Sequence, residues 1–150
     1  MKFSQRVMVP VAREPLWDFL MDIPKVAQSL PGVEKVDQID NDTYEGTLKV
    51  RVGPISLTLQ GKIIMEQRDH ENYRATMRAE ASDRRAAGAI RGKTSMELKE
   101  ISANETEFLV ESDVNILGKI GEFGQPIIRK KSEGMLKEFV ENIKKQLVGN

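Results

Sequence analysis

The sequence has 150 residues, of which 31% are charged, and its 23 basic and 23 acidic residues give a formal net charge of zero. This balance argues against a nucleic-acid binder held by phosphate neutralisation. The absence of Cys excludes disulfides, thiol nucleophiles and cysteine metal sites, and a single His, His70, makes a histidine metal site or a Ser–His relay hard to assemble. We therefore expect no metal and no cofactor.

The length fits one domain over residues 1–150, with enough chain to bury a core. The N-terminus lacks the apolar segment of a signal peptide, and no apolar run approaches membrane-spanning length. We expect a cytoplasmic protein.

The chain opens with a predicted strand over Lys2–Pro10, in which apolar and polar residues alternate. A helix follows over Arg13–Asp22, with Pro15 in its first turn, where a missing N–H is tolerated. Ile23-Pro24 is expected to break this helix, and a second short helix is predicted over Val26–Leu30.

From Val33 onward the apolar pattern has a period of two, which is typical of strands with one buried face. Short polar or Gly/Pro turns separate the runs. The predicted strands are Val33–Ile39, Thr43–Val52, Ile55–Gln67, Tyr73–Asp83, Ile90–Leu98 and Phe108–Ile116. Strands joined by short turns predict an antiparallel meander with one wet and one buried face.

The last stretch, Ile116 to Leu147, carries apolar residues at steps of three and four, which place them on one stripe of a helix. Pro126 suits a first turn and not a helix interior, so the regular helix is predicted over Ile127–Leu147. At a rise of ~1.5 Å per residue it would run about 31 Å and would need a broad apolar surface to lie on. The predicted fold is α+β, a curved seven-stranded antiparallel sheet around this C-terminal helix, with two short helices after the first strand.

Four local strings, in this order along nearly the whole chain, carry a resemblance to a known family. They are Leu30-Pro31-Gly32-Val33-Glu34, Lys49-Val50-Arg51-Val52-Gly53-Pro54, Ala86-Ala87-Gly88 with Gly92, and Gly118-Lys119-Ile120 with Phe123-Gly124. The chain resembles the family of the carbon monoxide dehydrogenase G subunit, within the START-like (helix-grip, SRPBCC-type) superfamily.

The resemblance implies a seven-stranded sheet that grips a helix around an apolar cavity. It also implies association with aerobic carbon monoxide dehydrogenases of the molybdenum type or related hydroxylases, in membrane attachment or quinone-linked electron delivery. Many members of the family continue into a tail with a membrane-attaching segment, whereas this sequence ends at Asn150. We therefore expect membrane contact to be at most peripheral, at the inner face of the membrane.

Small residues occupy inward strand positions where Leu or Ile would ordinarily fill a core: Gly46, Gly61, Ala75, Ala79, Ala81 and Gly92. Either they let elements pack closely, or they leave room for a ligand. The resemblance favours a ligand pocket, of roughly 300–1,000 Å³. The residues expected to line it are Tyr44, Leu48, Val50, Leu57, Leu59, Ile63, Ala75, Met77, Ala79, Ala81, Ile90, Gly92, Thr94, Met96, Val110, Ser112, Val114, Phe123, Ile127, Ile128 and Met135. Of these, Tyr44, Thr94 and Ser112 are polar, and they could orient a ligand or bond the backbone.

Alternate turns of a meander lie at the same end, so Gly53-Pro54, Arg84–Gly88 and Leu117–Gly124 should come together. Their glycines favour this end as the mouth of the pocket. The two arginines of the second turn could meet a carboxylate, a phosphate or a lipid head group, although a solvated turn is the simpler interpretation. His70 falls in a turn at the opposite end and is predicted to be exposed.

We expect a non-enzymatic protein that binds a quinone- or lipid-like apolar molecule as an accessory protein of a carbon monoxide dehydrogenase or another molybdenum hydroxylase. One alternative is a polyketide-cyclase-like enzyme on the same fold, which a titratable side chain inside the pocket would favour. The other is an assembly subunit, which a tightly filled core would favour.

Overall fold

The computed structural model describes residues 1–83, 85 and 88–149. Its strands are β1 (Lys2–Val9), β2 (Val33–Gln38), β3 (Thr43–Val52), β4 (Ile55–Asp69), β5 (Arg74–Asp83), β6 (Gly88–Ser102) and β7 (Glu105–Gly118). Its helices are α1 (Arg13–Met21), α2 (Ile23–Ser29), a 3-10 helix (Lys119–Phe123) and α3 (Gln125–Leu147). In the predicted turn at Arg84–Gly88, Arg84, Ala86 and Ala87 lie outside the described residues.

The strands form one antiparallel sheet in the order β1-β7-β6-β5-β4-β3-β2. This confirms the predicted α+β architecture, with a seven-stranded sheet, a long C-terminal helix and two short helices after β1. The strands β4, β6 and β7 are longer than predicted, because their pairing continues past the buried region. The last four residues of β6 are all exposed, and apolar alternation gives no signal there.

The apolar stripe predicted from Ile116 onward is not one continuous helix. Gly118 and Gly124 have φ values of +82° and +81°, in the left-handed region that favours glycine, and they separate β7, the 3-10 helix and α3. The periodic residues Ile120 and Phe123 therefore belong to the 3-10 helix. No helix in the described part of the chain is long and apolar enough to cross a membrane.

Helix α2 begins at Ile23, earlier than predicted. The Asp22 side chain accepts a hydrogen bond from the Lys25 N–H at 3.3 Å, and Pro24 lies in the first turn. An Asp at the N-cap and a Pro just inside it are a helix start, so Ile23-Pro24 begins a helix as well as ending the preceding one.

Apart from Phe3 and Ala27, the buried apolar residues fall into two separate clusters. The larger, which we call the α1 core, joins α1 and α2 to the sheet and to the C-terminal half of α3; it includes Val9, Leu16, Trp17, Phe19, Leu20, Ile23, Tyr44, Met65, Ala75, Leu98, Phe108, Phe139, Val140 and Ile143. The smaller, the 3-10 core, lies at the other end of the sheet and consists of Val52, Leu57, Leu59 and Ile120. Trp17 belongs to the α1 core together with Phe139, Val140 and Ile143 of the long helix.

Candidate functional site

A row of inward-facing residues lies between the two cores and belongs to neither. We call it the middle row: Ile63, Ala79, Gly92, Thr94, Ser112 and Val114. All six are half-buried, although they sit on central strands where a filled core would enclose them. The centre of the sheet is therefore not fully enclosed, and Ala79, Gly92 and Ser112 also border a hollow on its outer face.

The N-terminal half of α3 lies on the same side of the sheet and is only loosely covered itself. From Gln125 to Leu136, every residue of which is described, no side chain is buried, and Ile127 is 45% exposed. The buried residues of the helix, Phe139, Val140 and Ile143, all belong to its C-terminal half. Helix α3 is thus anchored at one end and spans a less filled space at the other.

Polar contacts hold that loosely covered half of α3 against β1. The Gln5 amide donates to Ser132 Oγ at 2.7 Å, and the Gln125 amide donates to the carbonyl of Lys2 at 3.3 Å. The Arg129 guanidinium lies 5.8 Å from the centre of the Phe3 ring. These contacts close the β1 side of the helix.

The β3 side of α3 is open. Strand β2 pairs with β3 only as far as Leu48. One further hydrogen bond joins the Lys49 N–H to the Gly32 carbonyl at 2.8 Å, and beyond it β3 is an edge of the sheet. A cleft of about 540 Å³ separates this edge from the helix. It is lined by Pro31, Gly32, Lys49, Val50, Arg51, Val52, Gly53, Ile127, Lys130, Lys131, Gly134, Met135 and Glu138. The helical residues recur at steps of three and four, so one face of α3 forms the wall.

The glycine-rich end, predicted as the mouth, is covered by the 3-10 helix. Ile120 is only 2% exposed within the 3-10 core, and a Cβ at Gly88 would lie 2.8 Å from it. The Phe123 ring lies against Gly53, 3.2 Å from where a Cβ would be. The opening instead begins at Gly53 and runs along the side of the domain, because Ile120 and Phe123 fold back onto the sheet and do not extend α3.

The inward glycines do not provide empty space. A Cβ on Gly61 would lie 2.7 Å from the Ala81 Cβ, one on Gly92 would lie 2.5 Å from Val114, and one on Gly46 would lie 2.6 Å from the Lys35 carbonyl oxygen. Close approach of neighbouring strands therefore explains these glycines. The alanines differ among themselves, since Ala75 is buried in the α1 core whereas Ala79 and Ala81 are half-buried.

The predicted lining residues separate into four groups. Tyr44 and Ala75 are buried in the α1 core, with Met77, Met96 and Val110 packed against it. Leu57 and Leu59 are buried in the 3-10 core, with Leu48, Val50, Ala81, Ile90 and Phe123 packed against it. The middle row contains Ile63, Ala79, Gly92, Thr94, Ser112 and Val114. The cleft is lined by Val50, Ile127 and Met135, and Ile128 is half-buried on α3.

The polar groups of the middle row are hydroxyls that bond one another. Thr94 and Ser112 are opposite each other on β6 and β7, with their side-chain oxygens 3.0 Å apart. The hydroxyl that accepts within this pair keeps its own O–H, which could donate to a ligand oxygen. In the described part of the chain, no group of three or more His, Asp or Glu residues could hold a metal ion.

A buried carboxylate, Asp83, was not anticipated from the sequence. Its side chain faces inward at the end of β5 and is 7% exposed. One oxygen accepts the Thr58 N–H at 2.9 Å and the other accepts the Arg85 N–H at 3.0 Å. These main-chain bonds give Asp83 a structural role in holding the turn after β5, which its position in the inward alternation could have signalled.

His70 is on the surface, as predicted, but it is not simply exposed. Its ring stacks on Trp17 with centroids 5.2 Å apart, and its Nε2 lies 2.8 and 2.9 Å from the two Glu14 carboxylate oxygens. The Tyr73 hydroxyl also donates to Glu14, at 2.9 Å, and the Arg13 guanidinium lies 3.9 Å from the centre of the Tyr73 ring. Tyr73 has φ +53°, so this cluster fastens α1 to a strained turn between β4 and β5.

Replacing Glu14 with Gln should make the melting temperature less sensitive to acid. The hydrogen bond from His70, and then that from Tyr73, hold the pKa of Glu14 below its ordinary value of 4.5. A carboxyl group with a lowered pKa in the folded state stabilises the fold above its unfolded pKa and loses this contribution as pH falls through the folded value. Melting curves between about pH 6 and about pH 3 should therefore fall less steeply for Glu14→Gln. The matched variant Glu71→Gln, at an exposed site in the same turn, should keep the wild-type slope; equal slopes for all three proteins would contradict the assignment.

A hollow of about 1070 Å³ lies on the outer face of the sheet. It is bordered by charged side chains, several of them in ion pairs: Arg78 and Lys93 with Glu66, and Arg91 with Glu80. Exposed ion pairs of this kind are solvated and contribute little. We therefore place the candidate site at the cleft and the middle row, where apolar surface is left uncovered.

Comparisons with known proteins show the family and the fold of this chain. The CoxG family, described as the G subunit of carbon monoxide dehydrogenase, matches residues 6–148. A conserved protein from Geobacillus kaustophilus has a similar structure, with a TM-score of 0.89 at 16% identity over 99% of this chain and 95% of that one. No curated protein matches the sequence at a significant level.

Two further solved structures share the fold at low identity. A START superfamily protein from Mycobacterium smegmatis has a TM-score of 0.71 at 10% identity, covering 97% of this chain and 96% of that one. The Zhui aromatase/cyclase from Streptomyces sp. R1128 has a TM-score of 0.65 at 15% identity, covering 97% and 94%. These likenesses establish the START-like fold, on which proteins of different activities are built.

Proposed function

The chain belongs to the CoxG family, described as the G subunit of carbon monoxide dehydrogenase, and has a START-like fold. On this basis we propose that it binds a quinone- or lipid-like apolar molecule between the sheet and α3. Family and fold support a ligand-binding or accessory role. The family description supports a carbon monoxide dehydrogenase as the partner, and we extend the proposal to a related molybdenum hydroxylase. The proposal includes a cytoplasmic location with at most peripheral membrane contact.

The observation that carries the proposal is the gap between the two cores. Native interiors are close-packed, and a central row left half-exposed is uncommon unless something else covers it. Here the six residues of the middle row are half-buried, and the cleft between β3 and α3 has a volume within the usual range of ligand sites, about 300–1,000 Å³. Within the middle row the side chains are apolar apart from the Thr94–Ser112 pair, which suits an apolar ligand with few polar atoms.

Binding without chemistry fits the polar groups better than catalysis does. An acid–base enzyme needs a titratable group at the substrate, and the middle row offers two hydroxyls. Asp83 is a buried carboxylate, but each of its oxygens accepts a main-chain hydrogen bond. The likeness to an aromatase/cyclase, at 15% identity, supports only a shared fold. A filled assembly subunit fits less well, because the centre of the sheet is not enclosed.

Enlarging Ala79 to Leu should weaken binding of an apolar probe roughly tenfold, the equivalent of about 1.4 kcal/mol. Ala79 lies in the middle row between Ile63 and Gly92, so the longer side chain would occupy volume that the probe needs. Stability should hold or rise, since the added carbons enter space that is not filled. The measurement combines a titration with Nile red, a neutral dye that fluoresces in apolar surroundings, with thermal melting of protein extracted with organic solvent and refolded.

The matched control is Ala75→Leu, on the same face of the same strand four residues earlier. Ala75 is 4% exposed inside the α1 core, where added methylenes should cost about 1–3 kcal/mol. Its Nile red affinity should stay within about twofold of wild type in the folded protein. Failure of wild-type protein to bind Nile red would refute the proposed function, and equal destabilisation by both substitutions would show that Ala79 lies in a packed core.

A further inference from the structure

The rim of the cleft carries an excess of positive charge, whereas the charges of the whole chain balance. Of its five charged side chains, Lys49, Arg51, Lys130 and Lys131 are cationic, and only Glu138 is anionic. The whole sequence has a formal net charge of zero. The excess is therefore a local arrangement of β3 and α3.

Three of these cations have no ionic partner among the described residues. Lys49 pairs with Glu34 at 3.4 Å, whereas Arg51, Lys130 and Lys131 form no ion pair there. Glu138 is seven residues beyond Lys131, which places it about 10 Å further along the helix. The part of the cleft near Lys130 and Lys131 can therefore accept an anion without first breaking a salt bridge.

Apolar surface continues directly from this cationic rim. On the α3 face that lines the cleft, Lys130 and Lys131 are followed by Gly134 and Met135. Apart from the backbone of the helix itself, no heavy atom of the described residues lies within 4 Å of an ideal Cβ at Gly134. The missing side chain therefore leaves open space in this part of the cleft wall. On the β3 side the cleft is lined by Val50 and Val52, which belong to or pack against the 3-10 core. Along α3 the cleft is therefore lined first by two lysines, then by the open space at Gly134, and then by the apolar side chain of Met135.

From this order we propose that the ligand is an amphiphile with an anionic head, a carboxylate or phosphate, which Lys130 and Lys131 hold at the rim while its tail passes Met135 and Val50 into the space between the sheet and α3. The inference rests on the proposed function and specifies the class of ligand. Lysine ammonium groups donate charge-assisted hydrogen bonds to such heads. A neutral head would leave the ammonium groups of Lys130 and Lys131 without a bound counter-charge.

The test is displacement of Nile red from delipidated wild-type protein by two ligands that differ only in the head, oleate and oleyl alcohol, each below its aggregation concentration. Oleate should displace the dye at a concentration roughly tenfold lower than oleyl alcohol, a difference that corresponds to one charge-assisted contact. The preference should shrink as salt is raised, because the rim is exposed and its charges are screened. Phosphatidylglycerol vesicles added as a separate arm distinguish a single bound amphiphile from attraction to a charged bilayer.

The informative variant is the double substitution Lys130→Gln with Lys131→Gln, which should reduce the preference to about twofold or less while Nile red still binds. Its matched control, Lys137→Gln with Lys145→Gln, removes two exposed lysines of the same helix that are not among the cleft residues and should keep the preference. Thermal melting verifies that both variants fold.

Equal displacement by the two ligands would overturn the anionic head while leaving the binding function in place. A preference that survives in Lys130→Gln/Lys131→Gln would overturn the role of these lysines. Binding to the vesicles without displacement of Nile red would mean that the lysines attract a charged bilayer and not a single amphiphile, and it would overturn the proposal. Absence of Nile red binding by wild type would instead refute the proposed function itself.

Discussion

Replacing Ile143 with Ala should lower the free energy of unfolding by about 2–5 kcal/mol, the range for truncating a fully buried aliphatic side chain. Ile143 is 0% exposed and packs in the α1 core with Phe139 and Val140. These residues attach α3 to the sheet, so the cavity left by the truncation would loosen the anchored end of the helix. Chemical denaturation measures the change directly.

The control lies on the same helix, sixteen residues earlier. Ile127 is 45% exposed at the rim of the cleft, and Ile127→Ala should change the free energy of unfolding by no more than about 0.5 kcal/mol. The contrast tests whether α3 is held by its C-terminal half while its N-terminal half spans an open space. A large loss for Ile127→Ala would mean that the cleft is closed in solution.

Adding one methyl group to Gly61 should destabilise the protein by about 1–3 kcal/mol, the usual cost of overpacking. Its Cβ would lie 2.7 Å from both the Ala81 Cβ and the Glu80 carbonyl oxygen, and the second of these is main chain that cannot move without shifting β5. At roughly 2–4 °C per kcal/mol in a domain of this size, the loss is readily seen by thermal melting.

Gly134→Ala should have the opposite sign. Gly134 is exposed in the interior of α3 with open space where a Cβ would be, and Ala is favoured over Gly in a helix by about 1 kcal/mol. Stabilisation by Gly134→Ala together with destabilisation by Gly61→Ala would establish that the two glycines serve different purposes. If Gly61→Ala melted like wild type, the strand crowding inferred at the centre of the sheet would be wrong.

Most of the fold follows from local patterns that the sequence displays directly. Alternation in Thr43–Val52 predicts β3 with the bounds that the structure has, and steps of three and four with Pro126 predict the long helix to within two residues of its observed start. The resemblance, carried by strings such as Leu30-Pro31-Gly32, points to the family whose pattern matches residues 6–148. Such features depend on neighbours in the chain, so they can be inferred without knowing the packing.

The candidate site was predictable in part. The inward positions of the middle row follow from the period of two, and their half-exposure is consistent with the ligand cavity that the resemblance favours over a filled core. The positions of Tyr44 and Leu57 inside the two cores could not be derived, because periodicity reports which face is inward and not how far the covering element lies from it. The cationic rim was similarly hidden, since Lys130 falls off the apolar stripe of the helix and such positions are ordinarily solvated.

The order of elements and the inward faces of the strands and helix can be read from the spacing of residue types along the chain, and the resemblance of local strings points to the family. Tertiary packing was needed to show that β2 stops short and leaves the edge of β3 open, and that Ile120 and Phe123 cover the glycine-rich end. It also brought His70 to Glu14, 56 residues away. These outcomes depend on which surfaces come into contact and how much space remains between them, and close packing over the whole domain determines both.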